Sequence, residues 1–296
     1  MRRAVVAALA LAASAGLAHA ANPPADAVLA ELPFLDAPDA PRAVRIDLAP
    51  PGGRALQLLV DTGSPESFAT PLAAKALGIS LRRNKQTPYR RATRLGRDVQ
   101  IVVDTRRGDT GAAAGGEWAV LGARFLSAFV VELDLPGRRV RFLDPARFTV
   151  PAEAEEVDAQ VLPLRIENGQ PVVEIEVGGA RVPAVVSTGA PGSLLLPGGF
   201  ADEAALTPDP EATKTLAPMA GAGALRAATA AVVRIGRFEQ ADVPLLVAER
   251  GAYGAGPRSP AMIGLDLLAP YVLRIDYPRA RLWIARPGPS GDRSLP

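Results

Sequence analysis

The sequence predicts an all-β protein built as two copies of one lobe, and three observations carry that prediction. An apolar strand running into a tight turn occurs twice, as Leu58-Leu59-Val60-Asp61-Thr62-Gly63-Ser64-Pro65 and as Ala184-Val185-Val186-Ser187-Thr188-Gly189-Ala190-Pro191. Downstream landmarks recur in the same order: Val120-Leu121-Gly122 matches Met262-Ile263-Gly264, and Val131-Glu132-Leu133-Asp134-Leu135-Pro136 matches Leu273-Arg274-Ile275-Asp276-Tyr277-Pro278. Most other apolar runs are short, alternating and bounded by Gly or Pro, as strands are.

In chain order, Arg2 and Arg3 open a basic start, an Ala/Leu/Val-rich stretch follows, and Ala18-His19-Ala20 fits a small-x-small cleavage site. Residues 1–20 therefore read as a signal peptide, and the mature chain as an exported protein, periplasmic or secreted. The stretch is too short for a spanning helix, which needs about 20 apolar residues, so no membrane span is expected. The first lobe is expected over 21–150, with strands at Ala43-Val44-Arg45-Ile46-Asp47-Leu48 and Val99-Gln100-Ile101-Val102-Val103 and a helix over 71–77. The Pro/Ala/Glu-rich stretch 144–160 lacks periodicity and reads as the connection. The second lobe is expected over 151–286, with strands at Val172-Val173-Glu174-Ile175-Glu176-Val177 and Val243-Pro244-Leu245-Leu246-Val247, and short helices over 201–206 and after Gly264. The Pro/Gly/Ser-rich tail, 287–296, reads as disordered.

The copies have diverged in the middle. Asp61 and Ser187 are 126 apart and Gly122 and Gly264 are 142 apart, so the second copy holds 16 more residues between its landmarks.

Composition excludes more than it suggests. The formal charge of +2 falls by two to zero once Arg2 and Arg3 leave with the signal, which gives no electrostatic case for nucleic acid. There is no cysteine, and the single histidine, His19, lies in the signal. The mature chain thus has no Ser-His-Asp triad, no thiol nucleophile and no usual zinc ligands, and neither metal nor cofactor is expected. Carboxylates are the acid–base groups that remain. With 48% apolar residues the chain can bury a sizeable core without disulfides.

These motifs resemble the pepsin- and retropepsin-like aspartic peptidases, in a bacterial exported form with two lobes in one chain, and the resemblance spans nearly all of the mature sequence. It rests on the apolar-apolar-Asp-Thr-Gly-Ser run ending at Ser64, its altered twin ending at Ala190, and the apolar-apolar-Gly elements ending at Gly122 and Gly264. It implies a two-lobe acid-protease fold with a cleft that takes an extended peptide or protein substrate. It places Asp61 as the candidate catalytic acid and Ser187 at the position of the second acid. Thr62 and Thr188 would lock the two turns together across the lobes, and Ser64 would hold the Asp61 carboxylate, which Ala190 could not do for a partner. Gly63 and Gly189 suit tight turns, and Gly122 and Gly264 suit strands that pass close to another backbone.

Asp109-Thr110-Gly111 carries the same triplet but follows Arg106-Arg107-Gly108 in place of an apolar strand, so it reads as a loop. The cationic run Arg82, Arg83, Lys85, Arg90, Arg91, Arg94 and Arg97, with Tyr89, falls where a first-lobe flap would lie. It reads as a solvated loop ahead of a site for acidic substrates. Met219-Ala220-Gly221-Ala222-Gly223 reads equally as a turn or as a mobile cover over a peptide.

In an intact pair, two nearby carboxyl groups cannot both ionise, so one activates water and the other donates its proton. With Ser187 opposite, Asp61 is expected to titrate as an ordinary aspartate, at about 4. Ser187 lacks an identifiable base and reads as a small hydrogen-bonded turn residue ahead of a nucleophile. Three functions stay open: a peptide-binding relative with impaired proteolysis, an active homodimer pairing two Asp61 residues, and a non-enzymatic envelope scaffold. Oligomeric state is not legible.

Overall fold

The computed structural model describes residues 23–35, 43–48, 56–81, 89–94, 97–103, 119–154, 158–190, 192–208, 225–248 and 259–287. The signal, the Asp109 triplet, Arg82, Arg83, Lys85, the Met219 to Gly223 run and the tail beyond 287 lie outside the described residues.

The fold is all-β with a few short helices. The first half contributes β1 (Val28–Pro33), β2 (Arg45–Leu48), β3 (Leu56–Val60), β4 (Phe68–Ala69), α1 (Pro71–Ala76), β5 (Tyr89–Arg94), β6 (Arg97–Val103), β7 (Ala119–Leu121), α2 (Ala123–Leu126), β8 (Val130–Asp134) and β9 (Arg139–Leu143). The second contributes β10 (Ala159–Pro163), β11 (Arg165–Glu167), β12 (Gln170–Val177), β13 (Ala180–Val186), β14 (Leu194–Pro197), α3 (Gly198–Ala201), β15 (Leu206–Pro208), β16 (Leu225–Ile235), β17 (Phe238–Ala248), β18 (Ala261–Ile263), α4 (Leu265–Leu268), β19 (Val272–Asp276) and β20 (Arg281–Ala285).

Each lobe has its own sheet, ordered β2-β3-β7-β4-β6-β5 in the first and β11-β12-β13-β18-β14-β17-β16-β15 in the second. A further β12–β16 pairing, Glu176 opposite Arg234 and Val177 opposite Val233, brings distant strands of the second sheet together. The strands that lead into the two turns are built alike. In β3, Leu56, Leu58 and Val60 are buried while Gln57 is exposed, and β13 buries Ala180, Val182, Ala184, Val185 and Val186. Each pairs in parallel with a short, wholly apolar strand, β3 with β7 and β13 with β18. A strand buried on both faces needs such a continuous apolar run. After the first turn, Thr70 caps α1 by accepting from the Ala73 amide at 3.2 Å, and Pro71 occupies the position where its missing N–H costs nothing.

The third sheet joins the lobes, in the order β1-β9-β8-β19-β20-β10. Its centre is the antiparallel pair β8 and β19, running from Val272 opposite Asp134 to Asp276 opposite Val130. The matched Val131 and Leu273 segments of the sequence are therefore direct neighbours. The repeat also extends further than the motifs do, because β1 flanks β9 as β10 flanks β20.

One face of this sheet packs Leu133, Phe142, Leu273, Ile275 and Leu282 into the main core beneath the turns. The other face buries charge. Glu132 accepts from Arg274 at 2.6 Å and from Arg141 at 2.9 Å, and Arg274 stacks 4.3 Å over the Trp283 ring. The connection covers this face: Val150 is fully buried against it and donates its amide to Asp276 Oδ2 at 3.1 Å.

Candidate active site

The two turns meet at the junction of the lobes. Asp61 leaves β3 with its amide donating to Leu121 O at 3.1 Å, and Ser187 leaves β13 with its amide donating to Ile263 O at 3.0 Å. Thr62 Oγ1 donates to Val186 O at 2.6 Å and accepts from Thr188 N at 3.2 Å. Thr188 Oγ1 donates to Val60 O at 2.6 Å and accepts from Thr62 N at 3.1 Å. Four buried hydrogen bonds thus tie each turn to the strand and turn of the opposite lobe.

The glycines are required by what faces them. A Cβ on Gly63 would fall within 3.0 Å of Ser187 Oγ and Cβ, and one on Gly189 within 3.0 Å of the Asp61 carboxyl. A Cβ on Gly122 would meet the carbonyls of Ser64 and Glu66, and one on Gly264 those of Ala190 and Gly192. These last two are close approaches of extended backbone, with φ of −96° and −99°.

Asp61 and Ser187 face one another. Asp61 Oδ1 accepts from Gly63 N at 2.8 Å, from Gly189 N at 3.1 Å and from Ser187 Oγ at 3.2 Å. Burial pushes the Asp61 carboxyl above the usual 3.8, and the hydrogen bonds from Gly63, Ser187, Gly189 and the Ser64 amide only partly oppose that rise. This corrects the expectation of an ordinary aspartate: the sequence removes the second charge but says nothing of desolvation, which here raises the group without a charged neighbour. Among the described residues no second acid supplies a hydrogen bond to this carboxylate.

Ser64 also departs from its expected place. Its hydroxyl donates to Glu66 O at 2.8 Å, within its own loop, while the carboxylate is held by main-chain amides and by Ser187. A short side chain in a turn can satisfy itself on a backbone two residues on, and here that local bond wins.

Three participants were not singled out from sequence. Ser67 is fully buried: its hydroxyl donates to Gly122 O at 2.9 Å and accepts from Gly122 N and Phe125 N, each at 3.0 Å. Its counterpart Ser193 lies at the same spacing of 126 as Asp61 and Ser187, a signal that was available, and there the Ser193 carbonyl accepts from Gly264 N at 2.9 Å. Tyr277 is buried in the turn just after β19, its hydroxyl has no hydrogen-bond partner among the described residues, and burial first and the Asp61 charge second push the phenol far above its ordinary range. Gln170, at the start of β12, donates from Nε2 to Gly63 O across the lobes.

The cationic run divides. Arg97, at the start of β6, pairs with Asp144, which follows β9 of the joining sheet. Among the described residues there is no cluster of three His, Cys, Asp or Glu side chains that could hold a metal.

Residues 173–267 match a family model described as aspartyl protease, a span that contains both Ser187 and Gly264. A retropepsin-like aspartic protease from Rickettsia conorii is 20% identical, covers 44% of this chain and 92% of its own, and superposes with a TM-score of 0.33. Basic 7S globulin from soybean is 14% identical, covers 86% of this chain and 94% of its own, with a TM-score of 0.46. Conglutin gamma, a basic 7S globulin from lupine seeds, is 12% identical over the same shares, with a TM-score of 0.44. No curated protein sequence matches the chain.

Proposed function

We propose that this aspartic-protease-like chain is an exported protein that binds extended peptide between its lobes and whose hydrolytic power is impaired. The observation that carries the reading is the pairing of Asp61 with a hydroxyl at 3.2 Å where a second carboxyl would be needed. Peptide hydrolysis by a paired-acid site needs one group that takes a proton from water and another that gives one to the scissile carbonyl. Burial raises the Asp61 carboxyl above its usual range, but it remains a single titrating group. One group cannot do both within a turnover. Ser187 directs its hydroxyl to Asp61 and is too weak an acid to replace the missing donor, and losing such a partner costs on the order of 10² to 10⁴ in rate.

The binding half of the reading rests on what is retained: the locked turns, the glycines that let the two site residues approach, and two β-lobes able to take a peptide as an added strand. A homodimer that pairs two Asp61 side chains would have to displace Ser187 from Asp61 and break the four cross-lobe threonine bonds. The single-chain reading requires neither.

The test is acid-pH peptide hydrolysis by the wild type, Asp61→Asn and Ser187→Asp, with peptide binding measured alongside. Little cleavage is expected from the first, none from the second and a gain from the third. Robust wild-type cleavage overturns the impairment, and absence of peptide binding by both wild type and Asp61→Asn removes the cleft.

A further inference from the structure

The lobes do not reach across to one another in the same way. Arg45 stands opposite Leu59 in the first lobe and Val172 opposite Val185 in the second, so the residues just before them, Val44 and Pro171, occupy matching places. Val44 donates its amide across the lobes to Thr188 O at 3.2 Å. Pro171 has no amide hydrogen, so the mirror-image bond to the Thr62 carbonyl cannot form. One residue earlier, the Gln170 side chain donates instead to Gly63 O, in the turn that carries Asp61. The hairpin is shaped for that reach: Asn168 and Gly169 take φ of 52° and 85° between β11 and β12, as a tight two-residue turn requires. Gly169 then lies so close to Ala123 of the first lobe that a Cβ on it would fall within 3.0 Å of the Ala123 Cβ.

We infer that Gln170 is a positioning residue for Asp61, supplying from a side chain the cross-lobe donor that Pro171 removes from the main chain. The peptide unit of Gly63 is then held at both ends of its residue. Its carbonyl accepts from Gln170 of the second lobe, and its amide donates to Asp61 Oδ1 at 2.8 Å. Releasing the carbonyl lets the Gly63 residue rotate, which weakens the amide's bond to the carboxylate and favours the protonated acid. The functional weight of this contact rests on the cleft reading above, whereas the contact itself does not.

The experiment is a carboxyl ¹³C NMR titration of Asp61, assigned with Asp61→Asn, in the wild type, Gln170→Met, Gln170→Ala and the double variant Gln170→Ala with Pro171→Ala. Gln170→Met keeps length and packing while removing the donor, so it serves even where truncation to Ala disturbs the hairpin. Its midpoint is expected to rise by about half a pH unit, part of the effect of a hydrogen bond to a carboxylate. Pro171→Ala, which returns the amide, is expected to bring the midpoint of the double variant back toward the wild type. An unmoved midpoint in Gln170→Met overturns the positioning role, and no recovery in the double variant overturns the exchange between Pro171 and Gln170. Peptide affinity of the same proteins is read separately, so a cleft that binds nothing leaves the titration outcome intact.

Discussion

The Ser187 hydroxyl donates to the same carboxylate oxygen, Oδ1 of Asp61, that also accepts from the amides of Gly63 and Gly189. Three donors from both lobes converge on one oxygen while burial disfavours its charge. The site is thus set to orient a carboxyl group, and its acidity is governed by desolvation in place of a second acid.

Asp61 should leave a mark on stability against pH. Its folded-state value lies above 3.8, so in the unfolded chain the proton is lost first and the folded state is the harder one to ionise. Its contribution is complete below about 3.8 and falls as pH rises, levelling off above the folded value. Asp61→Asn cannot ionise and is expected to show no such fall, gaining on the wild type as pH increases. Urea unfolding between pH 3 and 8 checks this; a gap between the two proteins that is constant or narrows with pH would contradict it.

Thr62→Val and Thr188→Val each remove a hydroxyl that both donates and accepts across the lobes in a buried setting. Each is expected to cost about 2 kcal/mol, because a carbonyl and an amide are left unsatisfied. The double variant should cost less than the two together, since the four bonds form one unit. Denaturant titration of the three proteins gives the coupling.

Gly63→Ala is expected to be severely destabilising, since the new Cβ is driven onto the Ser187 side chain. Ser187→Gly removes the atoms it would meet and should recover part of the loss in the double variant. Gly189→Ala, which meets the Asp61 carboxyl, should not be rescued by that same change. Thermal unfolding of the single and double variants tells the two clashes apart.

Glu132→Ala leaves Arg274, only 6% exposed, without its 2.6 Å partner on the covered face of the joining sheet. A loss of about 3–5 kcal/mol is expected, as for an uncompensated buried charge. Glu132→Leu combined with Arg274→Met should recover most of it, since an apolar pair removes the desolvation cost of both ions. Chemical unfolding of each protein is the measurement.

The repeated turns made the two lobes legible, because each turn brings its own sequence punctuation: an apolar lead-in, a glycine and a downstream apolar-Gly strand. Thr62 and Thr188 were legible through the resemblance. Other features depend on what packs from far away in the chain. Glu132 alternates with Val131 and Leu133 as a solvent-facing residue would, yet it is buried because the Phe148 to Val150 stretch folds under the sheet. The raised acidity of Asp61 is a matter of burial, which no local pattern encodes. Gln170 reads as an ordinary hairpin residue until the register shows Pro171 standing where Val44 stands in the other lobe.

The pairing of β8 with β19 also sets an order of events during synthesis. Glu132 is made 142 residues before Arg274, the closer of its two arginine partners, so the first lobe emerges with an open strand edge and with Arg141 alone beside the acid at its base. Until the closing segment arrives, that edge is a template for the wrong neighbour. So distant a closure makes folding slow as well as late, and the half-made chain is the form most exposed to aggregation.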